Sequence, residues 1–263
     1  MLFSIPAEAW PSTRICVKII YMSENTSDKL NISRRLELLA EMAPAVDTVC
    51  DIGADHAWLL IRLIQLGKVR RGIAVEVTEG PYRRSARNIE AFGLEKRLEA
   101  RLGDGLGPIR PGEASAAVIA GMGGGTIGGI LERSPGVVKS LDYLLLQPMS
   151  QPALVRRQLR RLGFRILREA MLEERDILYP IILAEPGEMP ELSPEEAEYG
   201  PLLIRERPPE LLRELRRQLW SWRRIQEGLK KSSLEASREK EAKAREEIGK
   251  LEELIKCLYP AEA

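Results

Sequence analysis

Histidine is almost missing from this chain of 263 residues; His56 stands alone, which excludes a multi-histidine metal centre. The three cysteines, at 16, 50 and 257, have neither metal-ligand spacing nor a disulfide pattern, and Cys50 falls inside an apolar strand where it reads as core. No metal is therefore expected. No apolar run approaches the ~20 residues that a membrane-spanning helix needs. An excess of one charge is also lacking: the formal net charge is +1, so no global field draws the chain to nucleic acid or to a membrane. These absences describe a reduced, cytoplasmic protein without metal or membrane partners. Its oligomeric state stays open, a monomer sufficing. The length allows one good core with roughly 100 residues to spare.

The first 21 residues fit no element. Met1 to Tyr21 carries Leu2-Phe3, Cys16-Val17 and Ile19-Ile20 without a clear period, and lacks the basic start, apolar middle and small-residue cleavage site of a secretory signal. Met22 opens the polar stretch Ser-Glu-Asn-Thr-Ser-Asp. Met22 is therefore expected to be the native start, and residues 1–30 a poorly structured extension. The intact mass of the protein from its native source checks this.

What is present is concentrated in Val46-Asp-Thr-Val-Cys-Asp-Ile-Gly-Ala-Asp-His56. An apolar strand runs into Asp51-Ile-Gly53, and an apolar helical run from Trp58 to Leu66 follows; a strand, a tight glycine turn and a helix start make a nucleotide-cradling corner. Glu76 ends the next apolar strand, 23 positions after Gly53, close to the ~20 expected of an acid that binds ribose hydroxyls. The turn departs from the dinucleotide fingerprint, because Asp55 and Trp58 replace its second and third glycines. A pyrophosphate disfavours a nearby carboxylate. S-adenosylmethionine tolerates it, since its amino group and sulfonium are cationic and Asp51 or Asp55 can face them. The plainer role for Asp55 is to cap the following helix. Asp104, in Gly103-Asp-Gly105 after the third strand, can accept the adenine amino group or simply make a turn.

A short helix is expected at 34–42, with Ser33 as N-cap, and then strands at 47–52, 72–77, 98–102, 116–120 and 142–147 alternate with helices near 57–67, 80–92, 125–133 and 152–162. This alternation implies right-handed crossovers and a parallel sheet. Strands near 165–170 and 177–184 have no helix between them and suggest an antiparallel hairpin that finishes the sheet; Pro180 inside the second has no ready explanation. The cofactor-binding domain is placed at 31–186, a linker at 187–207 on its proline and glutamate content, and a helical hairpin at 208–260, whose basic first helix is expected to bind RNA. Leu212, Leu215, Leu219, Trp222 and Leu229 form one helical stripe, and Ala244, Ile248, Leu251, Ile255 and Leu258 another, with a break at Ser232-Ser233. Each helix would be ~36 Å long.

Gly121-Met-Gly-Gly-Gly-Thr-Ile-Gly-Gly129 follows the fourth strand, and it fails as a dinucleotide loop because Asp142 precedes a strand instead of ending one. Its glycines suit backbone approach to cofactor and substrate at the carboxyl ends of the strands. Leu146-Gln147-Pro148-Met149 ends the fifth strand at the same edge, where Gln147 can offer an amide to a base. His56 can be a general base or orient the turn. Two segments are locally basic: Pro152–Arg168 has six arginines and no acid, and Leu211–Lys231 has seven basic residues against two acids. Such faces can hold a polyanion, or simply be solvated.

Ile32-Ser-Arg-Arg-Leu-Glu37, Asp51-Ile-Gly-Ala-Asp-His-Ala57, Glu76 with Glu79-Gly-Pro81, Ile119-Ala-Gly-Met-Gly-Gly124 and Leu146-Gln-Pro148 occur in that order. Together with Tyr199-Gly-Pro201 and the two-helix tail, this set resembles the TrmK-type bacterial tRNA (adenine-22, N1) methyltransferases, from about Ile32 to Leu258. The resemblance implies an α/β class I S-adenosylmethionine methyltransferase fold, a Rossmann-like doubly wound sheet of seven strands with the last antiparallel, plus a coiled-coil-like C-terminal hairpin. It implies tRNA as partner, the D-arm as target, and a cofactor pocket at Asp51, Gly53, Asp55, His56, Glu76, Asp104, Gly121, Met122 and Gln147. Gln147, Pro148 and His56 would position the reactants. Arg34, Arg35, Arg156, Arg157, Arg160, Arg161, Arg216, Arg217, Arg223 and Arg224 would contact RNA. Trp58 stands where the family usually has tyrosine, and Met149 where asparagine is common.

The chemistry suits such a site. Adenine N1 has an in-plane lone pair that can attack the sulfonium methyl directly, and the product can stay cationic, so no strong base is needed. Aligning nucleophile and methyl can supply up to about 7–11 kcal/mol. The stacked target base must be flipped out at a cost of a few kcal/mol, which phosphate contacts offset. Two other readings compete: a small-molecule methyltransferase, which leaves the basic helices idle, and a non-catalytic RNA-binding protein with a decayed cofactor site. An NAD oxidoreductase is disfavoured by Asp55.

Overall fold

The computed structural model describes residues 30–175, 177–230 and 236–261. The N-terminal 21 residues, the expected start at Met22 and the Ser232-Ser233 break lie outside the described residues.

Helix α1 (Arg34–Met42) starts where the Ser33 hydroxyl accepts from the Leu36 amide at 3.3 Å, the cap expected from sequence. There follow β1 (Val46–Ile52), α2 (Trp58–Gln65), β2 (Val69–Glu76), α3 (Glu79–Ala91), β3 (Leu98–Leu102), β4 (Ala116–Gly123), α4 (Gly124–Arg133), the single turn α5 (Pro135–Val138), β5 (Tyr143–Ser150), α6 (Pro152–Arg161), β6 (Phe164–Glu174) and β7 (Ile177–Pro186). The seven strands form one sheet in the order β3-β2-β1-β4-β5-β7-β6. Strands β1 to β5 run parallel, while β7 pairs antiparallel with both β5 and β6. The order reverses between β1 and β4, so their carboxyl ends open the crevice in which doubly wound sheets bind ligands.

Both faces of the sheet are covered, which is why its strands read as short continuous apolar runs. Cys50, Ile52, Ala117, Ile119, Leu144 and Leu146 join Ile127 and Leu131 of α4 and Val155 and Leu159 of α6 in one core. Val49, Ala74, Val118 and Leu145 join Leu39 of α1 and Leu59, Leu60 and Leu63 of α2 in the other. Each such leucine contributes about 1.5–3 kcal/mol on burial. Cys50 is core as expected, and burial pushes its thiol up to about 12. Pro180 is explained by register: β5 pairs with β7 only over Ile182 to Ala184, so at Pro180 the strand has β6 alone as neighbour and one side without a ladder to lose.

The stretch read as a linker is not one. Ser193 and Glu196 make a reciprocal capping box that opens α7 (Pro194–Tyr199), and α8 (Pro201–Glu206) follows directly. Ala197, Leu202 and Leu203 are buried. Beneath these turns lies an ion pair: Arg156 Nε donates to Glu169 Oε1 at 2.7 Å, with both side chains shielded from solvent. Arg156 Nη1 also donates to the carbonyls of Ala197 and Glu198, and Glu169 Oε2 accepts from the Leu202 amide. Gly200, at φ +99°, closes over the pair; a Cβ there would lie 2.5 Å from Glu169 Oε1. The polar atoms of this pair are satisfied on several sides, the condition under which a buried pair is tolerated.

The chain ends in α9 (Pro209–Lys230) and α10 (Ala236–Leu258). They are antiparallel, since Tyr259 Oη donates to the Pro208 carbonyl at 2.8 Å and Arg223 pairs with Glu252 at 2.7 Å. Leu211, Leu212 and Leu215 meet Leu251, Ile255 and Leu258 in a third core, joined by Leu203, Ile204 and Met171, so the hairpin is seated on α8 and β6. Among the described residues no helix is long and apolar enough to cross a membrane.

Candidate active site at the carboxyl edge of the sheet

The parallel strands bring Asp51, Gly53, Glu76, Asp104, Gly121, Met122 and Gln147 to one edge. Gly53 turns the chain out of β1 at φ +71°, and its amide donates to the Val75 carbonyl at 2.8 Å. The methyl of Met122 lies 2.5 Å from the place a Cβ on Gly53 would take, so the β1 turn and the end of β4 meet there. Asp55, His56 and Ala57 follow with φ of +27°, +78° and +60°. Ala57 is the N-cap of α2, so Asp55 does not cap that helix. Its exposed carboxylate faces Arg84 at 3.5 Å and His56 Nε2 at 3.6 Å instead.

Two acids are sunk beneath this turn. Asp51 is 4% exposed, and burial, reinforced by Glu76, pushes its carboxyl up to about 7, with Arg35 opposing. Glu76 is equally covered; burial raises it, while Ser85 Oγ, donating at 3.2 Å, and the Asp55 amide pull the other way. A raised carboxyl answers a cation: a positive group arriving beside Asp51 restores the charge that burial suppresses. Asp104 stands in the turn after β3, exposed and paired with Arg133 at 3.2 Å.

On the other side of the crevice, Gln147 is wholly buried. Its Oε1 accepts from Arg35 Nη1 at 3.0 Å and from the Gly121 amide at 3.1 Å, and its Nε2 donates to the Pro148 carbonyl at 3.1 Å. The expectation that Gln147 shows its amide to a base is thus corrected: its polar atoms are already spent on the protein. Met149, the next residue but one, is the exposed tip of this strand end. His56 stacks on Trp58 at 5.9 Å, and Asn88 Nδ2 donates to its backbone carbonyl at 2.9 Å, so the ring and the backbone of the only histidine each have a partner.

The arginines divide. Arg34 is exposed, and its amide donates to Glu174. Arg35 points into the site, onto Gln147 and over the Tyr179 ring at 5.6 Å, and so is a site residue where a phosphate contact was expected. Arg156 is also withdrawn from the RNA-contacting set, because its guanidinium is buried on Glu169. Arg157, Arg160 and Arg161 are exposed on α6, Arg160 also donating to the Met189 carbonyl. On α9, Arg216 is exposed, Arg217 pairs with Glu214, Arg223 with Glu252, and Arg224 lies over the Trp220 ring at 4.8 Å. Ser85 and Asn88 were missed in the sequence; their signal was two polar residues one turn apart on α3, directly after the Glu76 strand. Tyr179 had no signal. Among the described residues no group of three or more His, Cys, Asp or Glu is placed to hold a metal.

A family model described as TrmK, tRNA (adenine(22)-N(1))-methyltransferase, matches residues 49–253. The tRNA (adenine(22)-N(1))-methyltransferase of Bacillus subtilis (strain 168) is 37% identical over 161 residues, which is 61% of this chain and 68% of that protein. The crystal structure of the B. subtilis m1A22 tRNA methyltransferase TrmK superposes with a TM-score of 0.76 at 31% identity, covering 86% of this chain and all of that one. Streptococcus pneumoniae Sp1610, described as a candidate tRNA (m1A22) methyltransferase and solved in complex with S-adenosyl-L-methionine, superposes with a TM-score of 0.77 at 33% identity, over 86% of this chain and all of that one.

Proposed function

Because this chain belongs to the TrmK family of tRNA (adenine(22)-N(1))-methyltransferases, we propose that it methylates N1 of adenine 22 in the D-arm of tRNA, the base flipping out and N1 attacking the methyl group in line. At the coarser level the protein is an S-adenosylmethionine-dependent tRNA (adenine-N1)-methyltransferase. The observation that carries the finer reading is the contrast across the crevice. One wall holds two buried acids, Asp51 and Glu76, and the other ends in Gly121, Gln147, Pro148 and Met149.

S-adenosylmethionine supplies a methyl group on a cationic sulfur. The acidic wall fits it, since Asp51 would complement positive charge and Glu76 would accept from ribose hydroxyls. Gly53, Asp55, His56, Met122 and Asp104 complete the cofactor side by position. Gln147 and Pro148 act by holding the strand end still. With Oε1 held by Arg35 and Gly121, Gln147 fixes the backbone of 147–149 against β4, and that rigidity aligns a base. No general base is required, because the attacking lone pair is already free. His56 is left as an orienting residue of the turn. The exposed Arg157, Arg160 and Arg161 of α6 and Arg223 and Arg224 of α9 supply phosphate contacts that offset unstacking of the target.

The test is direct. Purified protein, S-adenosylmethionine and unmodified tRNA carrying adenine at position 22 are incubated, and the digested nucleosides identified by mass spectrometry. N1-methyladenosine at position 22 is expected. Methylation elsewhere, or none with cofactor bound, rejects the positional assignment.

A further inference from the structure

Beside the strand end that closes the active edge lies a second concavity, about 220 Å³, between the tip of β5 and helix α9. Its apolar surface comes from Met149, Met171 and Leu178, and its polar rim from Tyr199, Arg217 and Gln218. The rim is organised in advance: Tyr199 Oη donates to Gln218 Oε1 at 2.8 Å, and Gln218 Nε2 donates to Glu214 Oε1 at 2.7 Å. Arg217 pairs with the same Glu214 at 2.6 Å. Glu198 also lines the cleft, and Arg156 reaches it from beneath while tied to Glu169.

This charge pattern selects the occupant. The carboxylate of Glu214 repels a phosphate, and its pairing with Arg217 leaves a nearly neutral slot. A flat, neutral group with hydrogen-bonding edges fits apolar walls and an amide rim, which describes a nucleobase. The cleft is continuous with the active edge, because Pro148 and Met149 line it. It does not reach Asp51, Gly53 or Gly121, so a base held there lies to the side of the cofactor and is not the one being methylated. We propose that this cleft is a subsite for a nucleobase adjacent to the target adenosine, held so that the RNA backbone is splayed at the methylation site. The proposal rests on the RNA-methylating function above and adds to it where the neighbouring base goes. It also gives Met149 a use, as an apolar wall between the two bases.

The test combines changes in both partners. tRNA transcripts with an abasic site immediately 5′ or 3′ of the target adenosine are compared with intact transcript, using wild-type enzyme, Leu178→Trp, which fills the cleft, and Gln218→Ala, which removes the rim amide held between Tyr199 and Glu214. One of the two abasic transcripts is expected to fall roughly ten- to a hundredfold in kcat/KM with wild-type enzyme, the scale of one sizeable apolar group left unburied. Leu178→Trp loses a similar factor on intact transcript and little more on that abasic one; Gln218→Ala shows the same pattern with a several-fold loss, and both keep wild-type cofactor binding. Equal turnover of intact and both abasic transcripts by wild-type enzyme overturns the subsite. So do losses that simply multiply between enzyme and RNA. Loss of all turnover in Leu178→Trp, with both abasic transcripts still good substrates of wild-type, puts the target base itself in the cleft and overturns it too. Wild-type enzyme that fails on intact tRNA rejects the function above, and this subsite with it.

Discussion

Helices α6 and α9 carry matching arginine pairs, Arg156-Arg157 and Arg160-Arg161 in one, Arg216-Arg217 and Arg223-Arg224 in the other, and the fold treats them differently. In α6 the residue that follows Val155 turns inward with it, so Arg156 is fully buried and joins the helix to β6, α7 and α8 through Glu169 and two carbonyls. In α9 the inward stripe is Leu211, Leu212 and Leu215, and all four arginines stay on the outer face. A run of like charge therefore reports the composition of a segment, while the phase of the helix decides which charges remain available to a partner. Arg35 is a third case, half-buried and turned onto Gln147.

Breaking the inward case has the largest expected effect. Arg156→Ala leaves Glu169 buried without a counter-charge and should cost about 3–5 kcal/mol, read as a lower urea midpoint. The double change Arg156→Met with Glu169→Leu should recover most of that loss, whereas the neighbouring Arg157→Ala stays within about 0.5 kcal/mol. Equal effects at 156 and 157 would erase the contrast. Next comes Arg35. If it positions Gln147, Arg35→Ala lowers kcat by about a hundredfold, the scale of a 1 Å misplacement near the chemistry, with the salt dependence of tRNA binding unchanged. A flattened salt dependence instead returns Arg35 to the phosphate-contacting set.

The contrast extends to the acids. Glu169 is buried with a counter-charge, but Asp51 is buried beside a second acid, and its carboxyl sits near 7. Below that pH Asp51 is largely neutral and attracts a cation weakly; above it the carboxylate is formed. Affinity for S-adenosylmethionine, measured by calorimetry, should therefore rise roughly tenfold from pH 6 to pH 8, and Asp51→Asn should flatten the profile. In the free protein the sign is reversed: a carboxyl raised on folding takes stability away as pH climbs from the unfolded value through about 7. The smallest effects belong to the outward arginines. Replacing Arg157 and Arg161, or Arg223 and Arg224, with alanine should lower the slope of log binding constant against log salt by about one for each phosphate that is no longer neutralised, with stability nearly unchanged.

Much of this is legible in the chain itself. The alternation of short apolar runs with helical ones sets the order of strands and helices, because a two-sided sheet leaves that pattern. Asp51, Gly53 and Glu76 are legible because a ligand corner needs them at set distances along the chain. Arg156 is not, since what makes a buried arginine tolerable is Glu169 and the carbonyls of 197 and 198, which nothing local announces. The helices at 194–206 are hidden for another reason: six-residue helices are too short to show a period, and Ser193-Pro194 with Glu196, a capping signal, is outweighed by the prolines and glutamates around it. Gln147 falls on the expected edge, but its orientation depends on Arg35, over a hundred positions away.

The turn after β1 bears on how distant relatives of this protein are recognised. Residues 55 to 57 all have positive φ, between +27° and +78°, a region that costs most side chains about 1–2 kcal/mol and β-branched ones more. Aspartate and histidine are among the non-glycine residues that tolerate it best. Part of what looks like a chemical signature, acid followed by histidine, is thus a record of backbone handedness. A homologue reading Gly-Asn or Asn-Gly at 55 and 56 would keep the same loop path, while one with valine or isoleucine there could not, however well its acids aligned.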